Sequence, residues 1–323
     1  MDISLIIPAK DEEESIPELS SWISRVMQAH GFSYEVIFID DGSRDGTWEE
    51  IKKISEANPS IKGIQFNRNF GKSAALQTAF KIAQGEVVIT MDADLQDSPD
   101  EIPELYKLIK EQKFHLVSGW KKKRHDPISK TLPSKFFNYV TRKISGIHLH
   151  DFNCGLKAYH HSVIKNITVY GEMHRYIPVL AKWAGFTKIT EKVVEHRERK
   201  YGVSKFGWER FVRGFLDLLT ITFVGRFAKR PMHFFGAWGI VSFLVGFGFT
   251  VKIFWDKLDA LFISKIPLKR DVVDQPIFYL ALVALVIGVQ LFLTGFIAEL
   301  LARQSVSKAD YLVIDSIGID SAQ

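Results

Sequence analysis

One cysteine, Cys154, stands in 323 residues, so no intrachain disulfide exists and a reducing compartment suits the chain. A lone cysteine of this kind reads first as a small buried hydrophobe. The amino terminus has no basic stretch followed by an apolar core, so no secretory signal is expected and the first domain is expected in the cytosol. No G-x-x-x-x-G-K-[ST] loop occurs, and no G-x-G-x-x-G follows the first strand-like run. The first absence excludes a Walker-type NTPase; the second argues against a dinucleotide cofactor. Zinc-ligand spacings and other nucleic-acid motifs are also missing. The net charge of +5 therefore points to anionic lipid or phosphorylated substrates rather than nucleic acid.

Charge itself is scarce in one region. Residues 234–251 form an 18-residue stretch without a charge, and residues 276–298 form one of 23. A helix needs about 20 apolar residues to cross a hydrocarbon core of roughly 30 Å. The second run is long enough alone; the first spans if His233 and a snorkelling Lys252 serve as its ends. The connection between them carries five basic and four acidic residues, so charge counting does not orient it. Arg226, Lys229 and Arg230 before the first run place both termini on the cytosolic side. Gly236, Gly239, Gly246 and Gly248 permit close packing with other copies, hence a homo-oligomer.

The charged part of the chain alternates strand and helix patterns. Apolar runs at 3–7, 34–39, 61–66, 86–91 and 115–118 read as buried strands. Helices are expected from Ser15-Ile16-Pro17-Glu18, with Ser15 as cap, from about Thr47, and over 71–84, 99–112 and 129–145. The pattern predicts an α/β fold: a Rossmann-like, mainly parallel sheet with helices on both faces. Ligands then sit beyond the carboxyl ends of the strands, where the polar clusters of this sequence fall. Two segments, 129–145 and 205–230, set aromatic residues at helical spacing beside lysines and arginines. Such helices lie at membrane interfaces or pack on the sheet.

Asp92-Ala93-Asp94-Leu95-Gln96 follows the fourth strand. In extended backbone, residues i and i+2 point to one side, so Asp92, Asp94 and Gln96 offer hard oxygen ligands for Mg²⁺ or Mn²⁺. Turn-capping aspartates are the plainer explanation. Asp40-Asp41-Gly42-Ser43 closes the second strand and suits either a base and ribose or an Asx turn.

With Pro8-Ala9-Lys10-Asp11-Glu12-Glu13, these clusters close three successive sheet segments in order. In this the chain resembles family 2 glycosyltransferases of the GT-A fold. Within them it is most similar to the polyprenyl-phosphate branch, which includes dolichol-phosphate mannose synthases and bacterial undecaprenyl-phosphate glucosyltransferases. The likeness continues through Arg68-Asn69-Phe70-Gly71-Lys72, Asp151-Phe152-Asn153-Cys154-Gly155-Leu156-Lys157-Ala158-Tyr159 and Arg199-Lys200-Tyr201-Gly202-Val203-Ser204-Lys205 to Lys229-Arg230-Pro231. It covers nearly all of residues 1–300.

The resemblance implies roles residue by residue. Pro8, Ala9, Glu12, Asp40 and Asp41 match the base and ribose pocket; Asp92, Asp94 and Gln96 match the metal and diphosphate site. Arg199 and Ser204 match a segment closing over the donor diphosphate, and Asp151 an acid near the sugar, or else a loop cap. Lys130 and Ser134, with Lys121 and Arg124, match a site for the acceptor phosphate. Two positions depart from the family: Asp11 stands where Asn is common, and Lys130 where Arg is frequent. Lysine lacks the two-pronged fork for phosphate.

The implied activity is metal-dependent, inverting transfer of one sugar from a nucleotide diphosphate sugar to a polyprenyl phosphate. UDP-glucose is the first donor to try, then GDP-mannose or another UDP-sugar. Other acceptors (glycolipid, polysaccharide, protein) and a non-catalytic scaffold are the alternatives. A processive synthase is disfavoured because no Gln-x-x-Arg-Trp segment occurs. The expected layout is a catalytic domain over 1–200, juxtamembrane helices over 201–231, and membrane helices at about 233–252 and 276–299 within 232–300. A cytosolic tail follows at 301–323, and the bacterial inner membrane is the expected location.

Overall fold

The computed structural model describes residues 1–122, 128–197, 200, 231–263 and 270–305, with the side chains of 128–136 and 302–305 outside the description. Arg124, Arg199, Ser204, the helix expected over 205–230 and the tail beyond 305 lie outside the described residues, as do the side chains of Lys130 and Ser134. The described residues fall into two compact units, 1–200 and 231–305.

The first unit is a seven-stranded sheet of β1 (Ile3–Ala9), β2 (Tyr34–Asp40), β3 (Ile61–Gln65), β4 (Val87–Thr90), β5 (Leu116–Trp120), β6 (Lys157–His160) and β7 (Ile189–Val193). Their order is β3-β2-β1-β4-β6-β5-β7. All neighbours are parallel except β6, which runs antiparallel to both β4 and β5. The central strands are buried on both faces, with Ile3, Leu5, Ile7, Val36, Phe38, Val87 and Ile89 on one and Ile6, Ile37, Ile39 and Val88 on the other, which is why they read as apolar runs. Each such side chain contributes about 1.5–3 kcal/mol on burial.

Crossover helices α1 (Ile16–His30), α2 (Thr47–Ala57), α3 (Lys72–Ile82) and α4 (Ile102–Lys110) cover the sheet. Helix α1 packs Leu19, Ile23 and Met27 on the core and ends at Gly31, whose φ of +66° suits a residue without Cβ. Ser15 does not cap this helix. Its hydroxyl donates backwards, to the Glu12 carbonyl at 3.0 Å and the Glu12 carboxylate at 3.1 Å, so it serves the loop instead. Further along come α5 (Ile128–Ser145), α6 (His161–Asn166) and α7 (Ile177–Trp183). Helix α5 buries Asn138, Thr141 and Ser145 while Tyr139 and Ile144 stay exposed. It thus packs on its unit through a polar stripe and turns apolar side chains outward.

The second unit is a pair of helices, α8 (Pro231–Leu258) and α9 (Pro276–Ser305). Both are long and apolar enough to cross a membrane. Helix α8 runs past Lys252, and at 1.5 Å per residue its 28 residues reach about 42 Å. Glycines bring the two backbones together. A Cβ on Gly239 would sit 2.8 Å from the Gly288 carbonyl oxygen, and one on Gly246 would sit 2.8 Å from that of Ala281. These two glycines are therefore used within the pair, whereas Gly248 faces open space. Ser242 closes the contact by donating to the Ala284 carbonyl at 2.8 Å. Trp238, Phe254, Trp255 and Leu293 point outward, as expected of side chains bathed in lipid.

Candidate active site

Three loops gather at the carboxyl ends of β1, β2 and β4. The first two are sewn to each other. Asp11, with φ at +54°, accepts from the Arg44 amide at 2.9 Å, and its own amide donates to the Ser43 hydroxyl at 2.9 Å. The Glu12 amide donates to Thr47 Oγ1 at 2.8 Å. Pro8 and Ala9 end β1 directly beneath this seam.

Asp40 and Asp41 are both buried and both occupied. Asp40 Oδ1 accepts from the Ser43 amide at 2.9 Å and from its hydroxyl at 2.5 Å, while Oδ2 accepts from Gln65 Nε2 at 3.1 Å. Asp40 thus closes its own loop through Ser43, three residues on, and ties it to β3 through Gln65. Asp41 reaches the other way, accepting from the amides of Phe70 at 2.7 Å and Gly71 at 3.0 Å. A Cβ on Gly42, where φ is +68°, would lie 2.4 Å from the Arg68 carbonyl carbon. Asp41 and Gly42 together seat the 68–72 segment, which delivers Lys72 to the start of α3.

The loop after β4 behaves differently. From Met91 to Gln96, buried and partly exposed residues alternate strictly: Met91, Ala93 and Leu95 face the core, and Asp92, Asp94 and Gln96 face out together. The left-handed φ of Leu95, +59°, lets the chain turn after Asp94 while keeping that alternation. Asp94 Oδ1 accepts from the Gln96 amide at 3.3 Å. Asp92 is ion-paired with the ammonium of Lys72. Burial pushes the Asp92 carboxyl upward, but the cations of Lys72, Lys121 and Lys157 outweigh it and hold it well below the usual carboxylate range.

Gly155 forms the facing wall. A Cβ there would come within 2.3 Å of Asp92 Oδ2, so only glycine leaves room for the carboxylate. The adjoining turn carries Asp151, itself 1 % exposed, whose Oδ1 accepts from the Asn153 amide at 3.0 Å. Asp151 thus caps the turn whose Gly155 stands against Asp92. Cys154 is buried beside it, and burial pushes its thiol up to about 12, as suits an inert core residue.

Among the described residues, no group of three His, Cys, Asp or Glu side chains could hold a metal by itself. The pair Asp92 and Asp94, with the Gln96 amide, nevertheless fits Mg²⁺ or Mn²⁺. Such ions take few protein ligands and fill their remaining positions with water and substrate phosphates. The Gly155 cradle keeps the Asp92 carboxylate accessible from the side that matters.

Lys121, expected near an acceptor phosphate, instead pairs with buried Asp97 at 2.8 Å. Burial lowers the Lys121 ammonium, yet Asp97 outweighs it and raises the group above the ordinary lysine value. The same loop is strapped to the chain leaving β7. The Arg197 amide donates to the Gln96 carbonyl at 3.0 Å, and Asp97 bridges to His196. Two site lysines were not singled out from sequence. Lys72 had a readable signal, a cation at a helix start after a glycine; Lys157, a lysine on an interior strand, had none.

Comparison with known proteins agrees with this geometry. Residues 4–168 match the family described as Glycosyl transferase family 2. The dodecaprenyl-phosphate galacturonate synthase of Rhizobium johnstonii is 35 % identical over 306 residues, 94 % of this chain and 88 % of that protein. The undecaprenyl-phosphate 4-deoxy-4-formamido-L-arabinose transferase of Aeromonas hydrophila is 34 % identical over 304 residues, covering 93 % and 88 %. Among solved structures, glucosyl-3-phosphoglycerate synthase from Mycobacterium tuberculosis, in complex with UDP, superposes with a TM-score of 0.52 at 19 % identity, over 69 % of this chain and 79 % of that one. That likeness concerns the fold, which is GT-A. Sheet order, acidic loops and full-length kinship thus converge, and the chain belongs to the family 2 glycosyltransferases.

Proposed function

We propose that this glycosyltransferase moves a single sugar from a nucleoside diphosphate onto a polyprenyl phosphate at a membrane surface. The observation that carries this reading is the reach of the kinship: relatives named for sugar transfer to dodecaprenyl and undecaprenyl phosphate align over 94 % and 93 % of the chain, apolar helices included.

The acceptor nucleophile is a phosphate oxygen. With a second pKa near 6, a phosphate monoester is largely dianionic at neutral pH and needs no strong base. Asp151 then need not take a proton. The demanding step is departure of the nucleoside diphosphate, whose negative charge grows as the anomeric C–O bond breaks. Asp92, Asp94 and Gln96 would hold a divalent ion, which when bound would supply electrostatic stabilisation of that leaving group. A solved relative in fold carries Mn²⁺ together with UDP-glucose, which supports Mn²⁺ or Mg²⁺ here. Lys72, released from Asp92, stands at the start of α3 ready to meet the diphosphate. Attack from the face opposite the leaving group inverts the anomeric centre. Pro8, Ala9, Glu12, Asp40 and Asp41 frame the nucleoside end, the two aspartates by fixing loops. By resemblance, Arg199 and Ser204 are assigned to the donor diphosphate and Lys130, Ser134 and Arg124 to the acceptor phosphate.

The apolar helix pair anchors the enzyme in the membrane that holds the lipid, with catalytic unit and both termini cytosolic. The donor screen begins with UDP-glucose and GDP-mannose and includes the sugars of the relatives, galacturonate and 4-deoxy-4-formamido-L-arabinose. Purified protein incubated with undecaprenyl phosphate and radiolabelled UDP- and GDP-sugars should yield one labelled lipid. Label appearing only in a glycolipid, polysaccharide or protein acceptor would refute the assignment.

A further inference from the structure

Three side chains donate to carbonyls of the 151–155 turn. Ser118 on β5 donates to the Asp151 carbonyl at 3.2 Å, and Thr90 on β4 donates to the Gly155 carbonyl at 2.9 Å. Lys157 on β6 donates to the Cys154 carbonyl. Two of these fasteners are hydroxyls; the third is an ammonium on a residue 3 % exposed. An amide could make the same hydrogen bond without the cost of burying a charge. The charge therefore has its own use. Among the described residues the ammonium donates to that one carbonyl, yet it acts electrostatically on both Asp92 and Asp151. Sequestered behind the turn, it cannot touch a ligand and must work through its neighbours.

Charge balance shows how. Three ammonium groups, Lys72, Lys121 and Lys157, already act on Asp92. A bare divalent ion adds two further positive charges beside them. A donor diphosphate brings the missing negative charge.

We infer that Lys157 is a positioning residue with two effects: it clamps the 151–155 turn so that Gly155 stands against Asp92, and its fixed charge opposes a bare divalent ion, so that the ion is held well only together with a nucleoside diphosphate. This rests on the metal role proposed for Asp92 and Asp94. Reciprocity follows, since ion and diphosphate must raise each other's affinity by the same factor.

Manganese binding to the purified full chain in detergent, followed by electron paramagnetic resonance with and without UDP or GDP, tests the inference. In the wild type, the preferred nucleotide should tighten Mn²⁺ at least about tenfold. Lys157→Met replaces the buried charge with an apolar side chain of similar length and strands the Cys154 carbonyl, so its melting temperature should fall. It should tighten Mn²⁺ alone by roughly three- to tenfold and shrink the nucleotide effect by the same factor. Lys157→Gln, which keeps a donor for the Cys154 carbonyl, should do the same and stands in if the methionine variant does not fold. Lys157→Arg should behave as wild type. Thr90→Val, which loosens the turn without changing charge, should lower the melting temperature and weaken Mn²⁺. Unchanged or weaker binding of Mn²⁺ alone in both neutral variants would overturn the role of Lys157. A wild type that binds no Mn²⁺ with either nucleotide would instead overturn the metal reading, and this inference with it.

Discussion

The two acidic clusters at the sheet's carboxyl edge look alike in sequence and differ in bonding. Asp40 and Asp41 accept from backbone amides, a hydroxyl and a carboxamide that are fixed in place. Asp92 is paired with the long, flexible side chain of Lys72. A carboxylate bonded to backbone is scaffold, because releasing it would unmake a loop. One bonded to a lysine ammonium can exchange that partner for a metal and leave the fold intact. On the proposed function, the first cluster shapes the site and the second holds the metal.

That division predicts opposite responses to mutation. Asp92→Asn or Asp94→Asn should cut transfer about 10²–10³-fold or more while the protein still folds, Asp92→Asn losing only the stability of its pairing with Lys72, in a radiolabelled lipid assay paired with a thermal melt. Excess EDTA should abolish transfer by the wild type in the same assay. Gly155→Ala should follow with a smaller loss, about tenfold or more, because the new methyl would press on the Asp92 carboxylate and displace it. Asp41→Ala should act on stability instead. Stranding the Phe70 and Gly71 amides costs about 1–3 kcal/mol, read as a lowered melting temperature, and activity falls only as far as the 68–72 segment shifts. If Asp41→Ala left stability untouched while Asp92→Asn unfolded the protein, the contrast would be inverted.

The smallest effect concerns pH. The Asp92 carboxyl lies below its ordinary value of 3.8, so its stabilising pairing is fully present above that value and is lost only as pH falls through the lower folded value. Melting temperatures of wild type and Asp92→Asn should therefore run parallel from pH 8 to about pH 5. The acid limb of the rate profile should instead sit near pH 6, where the acceptor phosphate gains its proton.

Much of the fold was legible because central parallel strands are buried on both faces and so appear as unbroken apolar runs between helix patterns. The two missed strands break that signal. β6 is four residues long and lies inside a segment that reads only as a motif, and β7 is a half-exposed edge strand, Ile-Thr-Glu-Lys-Val, that carries charges. The carboxylate pair was legible from its i, i+2 spacing at a strand end. Two features were not. Asp40 admits both a ribose contact and an Asx turn on sequence, and its bond to Gln65, 25 residues on, belongs to neither pattern. Lys121 looks like a free loop cation until Asp97 is found folded beneath it. Partners brought together across 24 or more residues leave no local pattern to read.

Anomalous diffraction at the manganese edge, from crystals grown with Mn²⁺ and UDP, tests the central claim most directly. The account predicts a single peak within bonding distance of both Asp92 and Asp94, in contact with the diphosphate, with Lys72 drawn off Asp92. A manganese peak elsewhere, or a bound diphosphate with Lys72 still paired to Asp92 and no ion beside it, would contradict it.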